Sequence, residues 1–93
     1  LLAPATEAWP QVVEVVNGLG RTSIVVEDGY YLRAESKSRL FGFIDDLELA
    51  IDEQGDSRVA FRSASRLGYS DLGVNQRRIT AVYDALQERG LVQ

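Results

Sequence analysis

The chain contains no histidine, no cysteine and no methionine, and it has only two prolines and one lysine. Without cysteine it cannot form a disulfide, a thiolate zinc site or a thiol nucleophile. Without histidine it lacks the commonest general base and the commonest transition-metal ligand. No apolar run approaches the roughly 18 residues that a membrane-spanning helix needs. We therefore expect no metal and no cofactor, and we assign no catalytic residue.

The length and charge of the chain narrow its class further. Its 93 residues, 45% hydrophobic and 26% charged, suit one small globular domain spanning residues 1–93. A net charge of −4 argues against a nucleic-acid-binding protein, which usually carries a net basic face. The chain begins at Leu1 without methionine, so we expect a fragment that lacks upstream targeting or anchor residues.

Two segments have the apolar spacing of amphipathic helices. In ATEAWPQVVEVVNGLG, apolar residues recur every three or four positions, with Thr6 as the expected N-cap and Gly18 or Gly20 as the stop. Pro10 fits only near a first turn, which favours a start later than Thr6. In DLGVNQRRITAVYDALQERG, Ser70 or Asp71 is the expected cap and Gly90 follows the end. The expected buried stripe of this second helix comprises Leu72, Asn75, Ile79, Val82, Tyr83 and Leu86.

Four strands are predicted between the two helices. Asp28-Gly29 is a hairpin signal between two β-rich runs, and FGFIDDLELAID and RVAFRSAS supply the third and fourth strands. The period of two puts Asp45 on the apolar face and Asp46 on the other. If Ile51 lies opposite Val59, the register pairs Glu48 with Arg62, Asp52 with Arg58, and Asp45 with Ser65.

The order of these elements predicts the fold class. We expect a two-layer α+β domain (α-β-β-β-β-α), in which a four-stranded antiparallel meander carries both helices on one face. That face should bear the apolar residues Phe43, Leu47, Leu49, Val59 and Phe61.

The junction between the last strand and the last helix is unusually polar. The stretch RSASRLGYSDLGVNQRRI holds four arginines and three serines in a short span. We define the polar cluster as the candidate ligand-binding residues of this stretch: Arg62, Ser63, Ser65, Arg66, Asp71, Asn75 and Arg78. A helix start with arginines around it favours an anion such as phosphate, sulfate, carboxylate or a lipid headgroup.

FGFIDD followed by this stretch resembles the signature of domain-of-unknown-function family 1499. The resemblance implies a bacterial or plastid protein, often with an N-terminal membrane or export segment, but no activity. An exported protein, or one associated with the thylakoid or another membrane, is therefore expected, although the chain does not identify the compartment. The matching positions are Gly42, Phe43, Asp45, Asp46, Arg62, Ser63, Ser65, Arg66, Gly68, Asp71, Gly73, Asn75, Arg78 and Ile79.

Three interpretations of the polar cluster are open at this point. The favoured one is a structural network that includes Asp45 and Asp46, with Asp45 buried and bonded to Ser65, Arg78 or backbone N–H groups. The second is a small-anion or lipid-headgroup site in the cluster. The third is catalysis by Ser63 or Ser65, which no histidine could activate.

These interpretations lead to two function hypotheses and a third, weaker one. The first is a non-enzymatic accessory or interaction domain with a protein partner, as the soluble part of a membrane-linked assembly. The alternative is a binding module for a small anion or lipid headgroup at the strand–helix junction between Arg62 and Arg78. The third is a hydrolase, and nucleic acid is not an expected partner.

Overall fold

The computed structural model describes residues 2–37, 44–52, 58–65 and 73–93. Its elements follow the predicted order, helix, four strands and helix, and confirm the α-β-β-β-β-α architecture. They are α1 (Ala5–Asn17), β1 (Thr22–Asp28), β2 (Tyr31–Lys37), β3 (Ile44–Asp52), β4 (Arg58–Ser65) and α2 (Val74–Glu88). The first residues of the predicted third strand, including Phe43, lie outside the described residues.

The strands form one antiparallel sheet in the order β1-β2-β3-β4. The predicted register between β3 and β4 is confirmed: Ile51 lies opposite Val59, and Glu48 lies opposite Arg62. The β1–β2 register shifts between Ile24 and Val26, so that Val25 is an extra residue. This β-bulge interrupts the ladder along the β1 edge of the sheet.

The core lies between the two helices and one face of the sheet, which we call the inner face. Every second residue of a strand points to this face, because successive side chains of a strand alternate between the two faces. Trp9 of α1 packs edge-on against Tyr30, with ring centroids 5.9 Å apart, and its indole N–H donates to Glu27 at 3.1 Å. The buried apolar residues are Ala8, Trp9, Val12, Val15, Val16, Leu32, Ala34, Leu47, Leu49, Ile51, Val82, Leu86 and Leu91.

The start of α1 differs from the prediction. The N-cap residue is Pro4 rather than Thr6, and the helix runs through Pro10 instead of beginning near it. Proline at position 10 removes the bond that its N–H would donate to the carbonyl of Thr6. Both residues are exposed, so water can reach that carbonyl. The end is as predicted, because Gly18 follows the last helical residue.

The β1–β2 turn is displaced by one residue from the predicted Asp28-Gly29 pair. Asp28 still pairs with Tyr31, so the central turn residues are Gly29 and Tyr30. Gly29 has φ +58°, the positive value that a type II′ turn requires at its first central position.

The start of α2 also corrects the prediction, since neither Ser70 nor Asp71 is its cap. The N-cap residue is Gly73 at φ +83°, and its carbonyl accepts the first helical bond from the N–H of Arg77 at 3.0 Å. A left-handed residue here sets the direction in which the helix leaves the chain, and glycine adopts that conformation without steric cost. The end is as predicted, because Gly90 follows the C-cap Arg89 with φ +73°.

The stripe that α2 buries is narrower than predicted. Asn75, Val82 and Leu86 are buried, but Tyr83 is 37% exposed, and Leu72 lies outside the described residues. The Tyr83 ring meets Phe61 edge-on at 6.5 Å, and its hydroxyl donates to the carbonyl of Gln93. A polar tip that needs a partner at the surface explains why this ring stays at the rim of the core.

The helix start gives a first testable prediction. Gly73→Ala should destabilise the protein by about 1–2 kcal/mol, because an alanine at φ +83° is strained and its Cβ would lie 3.3 Å from the Arg77 guanidinium. Gly20→Ala is the matched control, since nothing lies within 4 Å of its added Cβ. Urea unfolding followed by Trp9 fluorescence measures both, and equal effects would contradict the requirement for glycine at position 73.

Candidate functional site

One end of the inner face is polar. The register aligns Thr22, Ser36, Asp45 and Ser65 in a row that crosses all four strands, and we call it the polar row. Ser36 and Asp45 are buried, at 3% and 4% exposure, and the Thr22 and Ser36 hydroxyls are 2.7 Å apart. A buried carboxylate is costly unless it is paired, so the partner of Asp45 determines how this end of the sheet is covered.

That partner is Arg78, from the second turn of α2. Its Nη2 lies 3.2 Å from Oδ2 of Asp45, and the two side chains are only 11% and 5% exposed. Its Nη1 donates to the Ser63 hydroxyl at 3.0 Å and to the Asn75 side-chain oxygen at 2.5 Å. The predicted burial of Asp45 and its pairing with Arg78 are therefore confirmed. We call Asp45, Ser63, Asn75 and Arg78 the buried network.

The bonding in the buried network bears directly on its chemistry. The Ser63 hydroxyl donates to Oδ1 of Asn75 at 2.5 Å and accepts a bond from Arg78. An amide oxygen is not a base, so this contact does not activate Ser63 as a nucleophile. Among the described residues, no buried side-chain nitrogen or oxygen atom lacks a hydrogen-bond partner. The arrangement is that of a satisfied structural network.

The remaining members of the polar cluster do not all join this network. Arg62 points to the opposite face of the sheet, and Ser65 occupies the position opposite Asp45 in the strand register. Arg66 and Asp71 lie outside the described residues. Ligand binding by these residues stays a prediction.

The other sheet face, which we call the outer face, carries a second polar network. Asp46 points there and accepts a bond from Arg33 at 3.2 Å, so it is separate from Asp45. Glu48 accepts two bonds, one from the Tyr31 hydroxyl at 3.0 Å and one from Arg62 at 2.9 Å. These contacts join β2, β3 and β4 across the face that the helices leave uncovered.

The pKa of Tyr31 reflects this environment. Burial of its hydroxyl is the largest cause that raises the pKa above the ordinary value of 10.0, and the Glu48 hydrogen bond and charge follow. The folded protein therefore favours the protonated phenol, which can keep donating to Glu48.

Sequence reasoning missed part of the polar row and part of the network on the outer face. Thr22 and Ser36 read as ordinary strand residues, and only the register shows that they continue the row of Asp45. The bond between Tyr31 and Glu48 likewise depends on the β2–β3 register, in which Tyr31 lies opposite Ala50. A cross-strand alignment of all four predicted strands was the signal that could have found them.

Substitutions of Arg62 and Arg78 should differ in their effect on stability. Arg78→Ala or Asp45→Ala should each cost at least ~2 kcal/mol, because the remaining charge would be buried without its partner. Arg62→Ala should cost ~0–1 kcal/mol, since this side chain is 74% exposed in its pair with Glu48. The Asp45→Ala/Arg78→Ala double variant should lose less than the sum of the single variants. Urea unfolding of the four variants measures these differences, and similar losses at Arg62 and Arg78 would refute the assignment.

The bond between Tyr31 and Glu48 on the outer face predicts that stability depends on pH. Neutral Tyr31 contributes stability below the unfolded tyrosine pKa of about 10, and this contribution is lost as the pH rises through the raised folded value. Glu48→Gln should move the Tyr31 pKa down towards its ordinary value, while Glu35→Gln should leave it in place. The ultraviolet absorbance of the phenolate measures this, with Tyr31→Phe identifying the signal among four tyrosines. An unchanged titration in Glu48→Gln would contradict the coupling.

Comparisons with known proteins can now be set beside this geometry. Neither helix of the described residues is long and apolar enough to cross a bilayer, and these residues contain no group of three acidic, histidine or cysteine side chains that could hold a metal ion. No curated protein and no solved structure matches the chain. A family model described as "Protein of unknown function (DUF1499)" matches residues 2–86. The chain therefore belongs to the DUF1499 family, as its sequence motifs indicated.

Proposed function

We propose that this protein is a non-enzymatic interaction domain that docks a protein partner on the outer face of its sheet. The observation that carries the proposal is a set of cross-strand bonds, Tyr31 and Arg62 to Glu48 and Arg33 to Asp46, on a face that neither helix covers. Tyrosine and arginine are the residues enriched at the energetic centres of protein interfaces. The further expectation of a membrane-linked assembly comes from the family resemblance alone.

The physical state of these side chains supports docking. Tyr31, Arg33, Asp46 and Glu48 are only partly exposed, and cross-strand bonds hold them against the sheet. A partner therefore meets a surface whose side chains have already lost much of their conformational freedom, which lowers the entropic cost of association. Beside them a depression of about 150 Å³ lies over the Ala50–Ala60 pair, where two small side chains leave room for a partner's side chain.

The alternative, a small-anion or lipid-headgroup module at the strand–helix junction, has less support. Arg78 is buried and bonded to Asp45, Ser63 and Asn75, and Arg62 is paired with Glu48. The exposed Arg62 could share its charge with an incoming anion, but Arg78 could bind one only by losing its own partners. Separating Arg78 from Asp45 would leave a carboxylate buried without its counter-charge.

Site-directed photo-crosslinking in the native cell tests the proposal. A photoreactive residue at Ala50 or Ala60, on the outer face, should yield a discrete crosslinked protein. The same residue at Gln76 or Gln87, which are exposed on α2, should not. Equal crosslinking from all four positions, or none from the outer face, would contradict an interface there.

A titration with inorganic phosphate and with anionic-lipid vesicles distinguishes the interaction domain from the anion or lipid-headgroup module. The interaction domain should show no rise in thermal unfolding temperature with either ligand. A rise with phosphate that disappears in Arg62→Gln would favour the anion module, and a rise with vesicles alone would favour a lipid surface.

A further inference from the structure

The two edge strands of the sheet differ in their suitability for pairing with another strand. In the part of the chain that the structure describes, β4 has a strand neighbour on one side only. All eight of its residues pair with β3 in an unbroken register, whereas the opposite edge, β1, is interrupted by the bulge at Val25. A regular edge strand is a template for strand addition, and a bulge is a common protection against it.

The side chains of β4 alternate in a way that defines the chemistry of this edge. Arg58, Ala60 and Arg62 are exposed on the outer face. Val59 and Phe61 are partly buried on the inner face, where they pack against the core. A strand added beside β4 would therefore meet a positive, a small and a positive residue on one face and two apolar residues on the other.

The strand on the other side of β4 shows which sequence matches this pattern. Residues 48–52 of β3, ELAID, place Glu48 opposite Arg62, Ala50 opposite Ala60 and Asp52 opposite Arg58. On the inner face, Leu49 lies opposite Phe61 and Ile51 opposite Val59. The protein thus contains its own example of a strand complementary to β4, with the pattern acid, apolar, small, apolar, acid.

We propose that the edge of β4 that has no strand neighbour among the described residues binds an extended segment of a partner protein as a fifth, antiparallel strand. The segment has the pattern acid–apolar–apolar–apolar–acid, with its acids opposite Arg62 and Arg58. The proposal rests on the proposed function and deepens it by giving the chemistry of the partner.

The arginines can serve both sides of β4. The Arg62 side chain is 74% exposed, and the contact with Glu48 is made through Nη1 alone. A guanidinium has five N–H donors, so it can bind Glu48 on one side and a partner carboxylate on the other. The middle position of the partner segment can hold an apolar residue larger than alanine, because the depression lined by Tyr31, Ala50 and Ala60 lies beside it.

A second copy of this chain is a poorer occupant of the edge. Antiparallel pairing of two β4 strands about Ala60 would place Arg58 of each copy opposite Arg62 of the other. Like charges directly opposite each other destabilise a strand pair. The charge of the edge therefore favours an acidic partner segment over self-association.

Peptide binding tests the proposal on the intact protein. The probe is a fluorescent peptide with the sequence of residues 46–53, DLELAIDE, which contains the ELAID segment of β3. Two control peptides replace its acids with amides or its alanine with proline. Proline keeps every charge but cannot pair in the middle of a strand. By fluorescence anisotropy the probe should bind about tenfold more tightly than either control. Amide hydrogen exchange should slow in β4 when the probe is bound.

A charge exchange supplies the matched variant. Arg58→Glu/Arg62→Glu should lose binding of the probe and gain binding of a peptide with lysines in place of its acids. Circular dichroism confirms that the variant is folded. Rescue by the lysine peptide supports direct pairing across the edge, which a general loss of stability would not produce.

Each other outcome overturns the proposal in a distinct way. Equal binding of the probe and the proline peptide would mean charge attraction without strand addition. No peptide binding, together with crosslinking from Ala60, would remove strand addition and leave the interaction domain standing. Failure of both experiments would remove both proposals. Dimers in sedimentation, with slowed amide hydrogen exchange in β4 when the dimer forms, would assign the edge to a second copy.

Discussion

The pair between Arg78 and Asp45 is the contact on which the arrangement of the other elements depends. Asp45 lies near the end of β3, a strand with neighbours on both sides, and on the buried face of the sheet. Its charge must therefore be neutralised from the helix layer. Arg78 reaches it from the second turn of α2, which begins at Val74 after the N-cap Gly73. The other terminal nitrogen of the guanidinium, Nη1, donates to Ser63 and Asn75. The Arg78 guanidinium thus joins the first two turns of α2 to both β3 and β4.

This constraint divides the inner face into a polar and an apolar part. In the polar row, the Asp45 carboxylate is covered from α2 by Arg78, and Asn75 of the same helix is also buried. Beyond it the face is apolar, and there α1 and the second half of α2, with Val82 and Leu86, complete the core. A small domain has little apolar area to bury, so a polar network at one end must be completely bonded to avoid destabilising the fold.

Much of the fold could be predicted from the alternation of apolar and polar residues along the strands and from the pairing of opposite charges between them. The β3–β4 register could be predicted because only one alignment matches Glu48 with Arg62 and hides Leu47 and Leu49 together. The burial of Asp45 followed from the same parity. The start of α2 could not be predicted, because Ser70 and Asp71 have a better intrinsic propensity than Gly73 to cap a helix. The contact between Arg78 and Asp45 joins segments that are distant in sequence, so local propensity does not encode it. The β1 bulge and the polar row depend on strand pairing, which no single segment encodes.

The arginines of the strand–helix junction illustrate how burial, rather than sequence proximity, divides their roles. Arg62 and Arg78 both pair with an acid of β3, yet one side chain is 74% exposed and the other 11%. The buried guanidinium cannot bind a new ligand without leaving the Asp45 carboxylate buried and unpaired, so its charge serves the stability of the fold. The exposed one pays little to exchange or share its partner, because water already screens the pair. A cluster that reads as one basic site in sequence is therefore two features on opposite faces, and the capacity for recognition lies with the outer one.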